Sequence, residues 1–443
     1  MESMSAITHL FTCLTCMRNP MNHVAITFIL ALSSAGLFAD DWRGFRGPTG
    51  MGVTTEKNLP LEWGGPDNKN IQWKTALPPT LLEGDADHNQ SSPVVAQGMV
   101  IVTTAHWPSG ADRKAKAAEH HVAAYDAKTG KQRWDSTVPA GPWILSDLRG
   151  GYAAPTPAVS DGRIVALFGS SILHALDLEG RLLWSKIIAD HDKFDVALPI
   201  SPVVYKDTVI LLLDRKAPAS TLLALDVASG ETRWEVARPD TEFGHMTPVL
   251  AMVNDQPQLI VCATHAVQGV NPENGELLWS CTWDRSIWPV SSPVVAQGLV
   301  YAIGGRGGHP GMVVDPTGHG DVSASHLKYR IGPASEGLSS PVAFGEFIYR
   351  FNSPGVIRCI RIGDGEEIYK ERLPNANPSV SPFVTPEGRI YFASAGKTVV
   401  VEAGPTLNIV AESDLGEPSH AAAAVADGKI FLKGHKFLYA IGF

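Results

Sequence analysis

Cysteine is scarce, with five residues in a chain of 443. Cys13 and Cys16 fall near the start, which leaves Cys262, Cys281 and Cys359 in the body of the chain. An odd, widely spaced set excludes a full disulfide framework and points to buried free thiols. No two cysteines are adjacent. Positive charge is also in deficit: 36 Lys and Arg against 45 Asp and Glu leave a net charge of −9. A phosphate backbone calls for the opposite sign, so no nucleic acid is expected as a partner. The apolar stretch at residues 24–38 is too short to span a bilayer. Preceded by Arg18 and followed by Ala39 and Asp40, it reads as a secretory signal peptide cleaved near Ala39. That signal reads more naturally from Met17 or Met21, so residues 1–16, with the Cys13-x-x-Cys16 spacing, are expected to be an upstream mis-start. The mature chain is expected to be periplasmic or secreted, monomeric, and without a transmembrane span.

What the chain has in abundance is glycine and proline, 42 and 32 residues, and repetition. A small residue, Pro and an apolar residue recur around Pro93, Pro157, Pro202, Pro248, Pro293, Pro341 and Pro382, at spacings of 64, 45, 46, 45, 48 and 41. A period near 45 built from short apolar runs is the mark of a radial array of sheets. Each unit closes on a second signature: Asp126…Gly130…Trp134, Asp177…Gly180…Trp184, Asp226…Gly230…Trp234 and Asn271…Gly275…Trp279, with a weaker copy at Arg361…Gly365…Tyr369. The glycine suits a hairpin turn that needs positive φ, the aspartate an Asx bond to that turn. The tryptophan is placed to wedge against the neighbouring blade. Removing Trp234 is expected to cost about 3–5 kcal/mol.

Within residues 201–236 four short apolar runs alternate with turns, which is one four-stranded blade. Seven such units follow from the prolines, and residues 421–443 supply three further strands. The missing strand is at the other end, where Ile71-Gln72-Trp73-Lys74-Thr75 resembles Leu182-Leu183-Trp184-Ser185-Lys186. The expected fold is all-β: an eight-bladed propeller of four-stranded antiparallel blades, its ring closed by that N-terminal strand. The expected divisions are a leader at 1–39, an extension at 40–69 packing on the ring, and the propeller at 70–443.

Ala124 to Trp134, reading AxDxxTGxxxW, and the copy at Ala224 to Trp234 resemble the pyrroloquinoline-quinone (PQQ) type repeat. The resemblance covers roughly residues 70–443 and implies the propeller fold. Quinoprotein alcohol and sugar dehydrogenases share the repeat with non-catalytic propellers such as the outer-membrane assembly factor BamB. The dehydrogenases typically carry adjacent cysteines forming a disulfide ring beside the quinone, an acidic cluster for calcium and an aspartate base. No segment here matches those motifs. The favoured reading is therefore a BamB-like binding or scaffold propeller engaging a protein, peptide or glycan. The alternative is a quinone-dependent dehydrogenase with PQQ and calcium, in which Trp288 or Trp143 stacks on the cofactor and Asp195 or Glu336 is the base.

With the Pro-containing strand innermost, turns between strands 1–2 and 3–4 share one face, and 2–3 turns and blade links share the other. The long segments, 104–120, 139–153, 187–199, 283–290 and 304–311, fall on the second face, and an insertion at 316–326 on the first. Long loops on a rigid ring are where binding concentrates. Residues just before the innermost strands, His88, Asn89, Tyr152, Asp195, His245, Trp288, Glu336, Asn377 and His420, are the candidates to line the funnel. No metal site is expected: His120-His121, after a basic stretch, reads as an exposed loop ending. Gly304-Gly305-Arg306-Gly307-Gly308 reads as a loop, and Trp42 to Pro48 as a segment packed on the ring.

Overall fold

The computed structural model describes residues 41–443 apart from 79–88, 109, 114, 146–147, 149, 191–197, 306–307, 334–338, 353, 374–379 and 395. The leader, the funnel candidates His88, Asp195, Glu336 and Asn377, and Arg306 and Gly307 of the glycine loop lie outside the described residues. All regular structure among the described residues is β. It forms eight sheets, seven of four strands and one of five. Blades are numbered here by their innermost strands: Val94–Ala96, Ala158–Ser160, Val203–Tyr205, Val249–Val253, Val294–Ala296, Val342–Phe344, Phe383–Val384 and Ala424–Ala426.

Blade 1 shows why these residues make strands. Val94–Ala96 and Met99–His106 are buried almost throughout, because blades press on both of their faces, and they read as continuous apolar runs. The outermost strand, Gln132–Val138, alternates exposed and half-buried residues, as a strand with one wet face should. The two-residue turn Gln97-Gly98 has positive φ at both positions, the hairpin geometry whose twist matches its strands. In the next turn the Asp126 carboxylate accepts from the Lys128 and Thr129 backbone N–H groups. The Arg133 guanidinium holds that carboxyl down to about 2.

Blade 8 is closed by the other end of the chain. Ile71–Ala76 pairs antiparallel with Phe437–Ile441, setting Trp73 opposite Ala440 and Lys74 opposite Tyr439. The ring thus has no open seam.

Two segments do more than connect blades. The insertion within blade 5 carries a short strand, Gly320–Asp321, that pairs in parallel with Leu277–Thr282 of blade 4. It lays Val322 against the sheet and leaves Trp279 fully buried, while Trp73, Trp134, Trp184 and Trp234 are only half-buried. Residues 41–56 run across the face that carries the 1–2 turns. Backbone N–H groups of Val95, Val159 and Val384 donate to the carbonyls of Trp42, Arg43 and Gly52 at 2.8–2.9 Å. Val295 N–H meets the Met51 sulfur at 3.2 Å. One strap therefore binds inner strands of blades 1, 2, 5 and 7.

The three described cysteines are free and buried. Cys262 and Cys281 stand on strands separated by the one carrying Val267, which keeps them apart. Burial pushes the Cys262 thiol up to about 12, so it stays protonated and inert.

Candidate functional site

The small residue before each proline forms a ring of hydroxyls at the axis. Ser92 N–H donates to Thr156 Oγ1, Thr156 N–H to Ser201 Oγ, and Ser201 N–H to Thr247 Oγ1, at 2.9–3.0 Å. The pattern resumes from Ser292 to Ser340 and from Ser340 to Ser381 at 3.0–3.1 Å. It returns through Ala422 N–H to Ser92 Oγ at 3.1 Å. Proline has no N–H, so the residue before it supplies both the donor and, on its side chain, the acceptor for its neighbour.

On the 1–2 turn side of this ring the strap crosses between the blades. Arg46 is 1% exposed. Its guanidinium donates to the carbonyls of Gly50, Met51 and Pro341, and burial pulls it down to about 9. A cation buried among carbonyls, with no carboxylate among those partners, ties the strap to blade 6 through charge-assisted bonds. Gly52 has φ +72 and its missing Cβ would lie 2.6 Å from the Pro382 carbonyl, so the strap needs glycine to pass there. A cleft of about 280 Å³ lies between this strap and the inner strands of blades 2 to 4.

The opposite, long-loop face receives the described funnel candidates in different ways. Asn89 is buried and exchanges bonds with the Ala105 peptide at both its amide nitrogen and oxygen. Tyr152 is fully buried, accepts from Leu145 N–H at 2.8 Å and packs on Trp107 and His120. Trp143 sits in the core shared by blades 1 to 3. His245 and Trp288 are half-buried and meet edge to face at 5.6 Å, with Phe243 beside the indole. His420 faces His435 at 5.0 Å. The structure brings His245 and Trp288 together and places His420 in a separate pair.

His120-His121 is not an exposed loop ending. The hairpin strands extend to His106 and from Glu119, so only 107–118 is loop, and both histidines are buried within the strand. His120 stacks on Phe168 at 4.3 Å and meets Ser170 Oγ at 2.7 Å, and burial lowers it to about 3. His121 points to the other side, toward His106 and Asp135. In blade 3, Asp214 and Arg238 form a buried ion pair at 3.0 Å; burial raises the Asp214 carboxyl despite the guanidinium. The glycine run at 304–308 leads into the strand Gly311–Val314 and not into a helix, so it makes no phosphate cradle of the strand-to-helix kind.

A ring of eight blades with a hydroxyl rim, wound from repeats of this pattern, defines a propeller of the PQQ-like class. The chain belongs to the family described as outer membrane protein assembly factor BamB, matched over residues 53–212 and 118–371. Among solved structures it is similar to BamB from Moraxella catarrhalis, at 15% identity and TM-score 0.56, covering 84% of this chain and 98% of that one. It is also similar to the quinohemoprotein alcohol dehydrogenase of Comamonas testosteroni, at 14% identity and TM-score 0.63, covering 92% and 81%. A europium-containing methanol dehydrogenase matches at 12% identity and TM-score 0.52, covering 89% of each chain. No curated protein matches in sequence. At these identities the likeness to solved structures shows the fold alone.

The quinone and calcium that such neighbours bring to mind find a poor donor set among the described residues. The approaches to the innermost strands, 89–93, 150–157, 198–202, 244–248, 288–293, 339–341, 380–382 and 419–423, contain no carboxylate. A buried cation instead stands beside the channel: Lys433 Nζ donates to Ser91 Oγ at 2.6 Å and to the Thr103 carbonyl at 3.1 Å. Calcium needs several oxygen ligands, carboxylates foremost, and these described approaches offer hydroxyls and carbonyls instead.

Proposed function

We propose that this protein is a binding or scaffold propeller of the bacterial-envelope type, whose long-loop face engages a protein partner. The observation that carries this reading is the strap at residues 41–56, which occupies the 1–2 turn face, so that the long loops of the opposite face are the segments left for a partner. A rigid ring that gathers its long loops on one face is a platform. The exposed Ile144, 39% accessible in the loop between blades 1 and 2, and the half-buried Trp288 supply apolar contact on that face. Aromatic and aliphatic anchors of this kind supply most of the energy in protein interfaces. The relatives' description as an assembly factor, and the expected leader, support an envelope setting.

A photo-crosslinking residue placed at Ile144, with a second at Leu183 on an outer strand as control, tests this in envelope preparations. A discrete adduct from position 144 and none from 183 supports the platform. Saturable stabilisation by PQQ with calcium, accompanied by alcohol- or sugar-dependent dye reduction, would replace it with the dehydrogenase reading.

A further inference from the structure

The second-to-third-strand hairpin of blade 1 ends in a cluster that the fold does not require. His106 pairs with Glu119 across the strands, and His121 follows two residues on, opposite Thr104. Period-two alternation puts Glu119 and His121 on one face, and the cross-strand partner His106 joins them there. The imidazoles of His106 and His121 lie 4.3 Å apart at 23°. From the fourth strand Asp135 reaches the same face, its Oδ1 3.0 Å from His121 Nδ1.

That last bond decides the chemistry of His121. A carboxylate only accepts, so Nδ1 carries the hydrogen, and in the neutral imidazole Nε2 then carries a lone pair. His121 is 8% exposed, and its Nε2 is buried without a hydrogen-bond partner, as is His106 Nδ1. The Glu119 carboxylate stands 3.9 Å from His121 Nε2, too far for a hydrogen bond. One donor atom from each of His106, Glu119 and His121 lies within 4.8 Å of the other two. Buried polar nitrogens are ordinarily satisfied, and two unpartnered ones in a cluster that also holds a carboxylate suit an ion or a water as the missing partner.

We propose that His106, Glu119 and His121 bind a divalent transition metal of the zinc class, with Asp135 orienting His121 from behind. Two imidazoles and one carboxylate favour zinc, copper, nickel or cobalt over calcium or magnesium. Three protein ligands leave a fourth position for water or a ligand atom. In a tetrahedral site with Zn–N near 2.0–2.1 Å the donors stand about 3.3 Å apart, so the cluster must contract. His106 and Glu119, at the hairpin end and partly exposed, can turn about their side-chain bonds to do so. The carboxylate–histidine–metal relay through Asp135 is the usual way such a ligand is held.

The test uses the full, untagged protein stripped with chelator. Zinc is titrated by calorimetry, and cobalt by its visible absorption. The expected result is one zinc per chain and a cobalt spectrum of a tetrahedral nitrogen–oxygen site. Glu119→Gln and His121→Ala should each abolish that stoichiometric binding, and Asp135→Asn should weaken it by roughly 10–100-fold. His435→Asn, in the separate His420 pair, should leave it unchanged. Glu119 is half-exposed, so its variant keeps the fold, checked by circular dichroism without metal. No one-site zinc binding to the parent protein would overturn the proposal, as would binding that survives both Glu119→Gln and His121→Ala or is lost in His435→Asn.

Discussion

Trp134 of one blade lies on Gly180 of the next, so closely that a Cβ at Gly180 would sit 2.6 Å from the indole ring. The same indole donates Nε1–H to the Leu178 carbonyl at 2.8 Å, and Ser136 Oγ donates to the Gly180 carbonyl at 2.6 Å. Trp73 over Gly130, Trp184 over Gly230 and Trp234 over Gly275 repeat the arrangement. For these four tryptophans the repeat signature is therefore an inter-blade joint, each serving the glycine of the following unit, whereas Trp279 lies against Gly269 of its own blade.

Gly180→Ala should destabilise by about 2–3 kcal/mol, combining strain at positive φ with overpacking against the ring. Gly162→Ala is the control, because Gly162 has a similar φ of +69 but nothing within 4 Å of its missing Cβ. It should cost about 1 kcal/mol. Equal losses in urea melts would mean that the indole contact carries no weight.

Trp279→Ala should cost about 3–5 kcal/mol, as for other fully buried large side chains. Trp234→Ala should cost about 2 kcal/mol, less than full burial would imply, because its ring is half-covered and loses less area. The difference comes from the strand Gly320–Asp321, which roofs blade 4. Excising residues 317–325 should expose Trp279, read as a red shift and easier acrylamide quenching of its fluorescence.

The hydroxyl ring is broken at Ala422, which has a donor for Ser92 but no acceptor of its own. Ala422→Ser should supply one for Ser381 N–H and raise stability by about 0.5–1.5 kcal/mol. Ser201→Ala should lower it by about 1–3 kcal/mol, since Thr156 N–H loses its acceptor in a buried place. Thermal melts of the two single variants, moving in opposite directions, check the claim.

Stability should fall in mild acid. His120 and His174, buried and lowered to about 3 and about 4, titrate near 6.5 in the unfolded chain. The unfolded state therefore binds more protons between those values. The stability held above pH 6.5 is lost as pH drops toward 4, at about 1.4 kcal/mol per pH unit for each histidine. The tautomer of His174 is set by its partners: Nε2–H donates to the Pro139 carbonyl at 2.9 Å, and Nδ1 accepts from Ser185. His174→Gln should flatten the pH 4–6.5 limb of a urea-midpoint profile. The carboxyls of Asp126 and Asp226, held to about 2, act only below about pH 4.

Much of the ring was legible because its determinants are periodic. Pro93 to Pro382 mark the inner strands and Trp134 to Trp234 the outer ones, and a period survives without any knowledge of contacts. The closing strand was legible because Trp73 repeats the local pattern of Trp184. What escaped were features made by register and by non-repeating segments. His106 and His121 are unremarkable along the chain and meet only when the hairpin pairs Glu119 with His106. Asn89 and Tyr152 sit at the expected positions before inner strands, yet their side chains are taken up by the Ala105 peptide and by Leu145. Trp42 to Pro48 reads as a segment packed on the ring, but nothing in it tells that Arg46 is buried against the Pro341 carbonyl.

The pairing of Ile71–Ala76 with Phe437–Ile441 also sets the order of events during folding. Whichever end of the chain emerges first, its partner strand is the last to arrive. Blade 8 cannot be completed, nor can the circle lock, before Phe437–Ile441 has been made. Until then the strand Ile71–Ala76 has no partner in the sheet and the blades form an open arc. A nonsense mutation anywhere before Phe437 would leave that arc permanently unlatched.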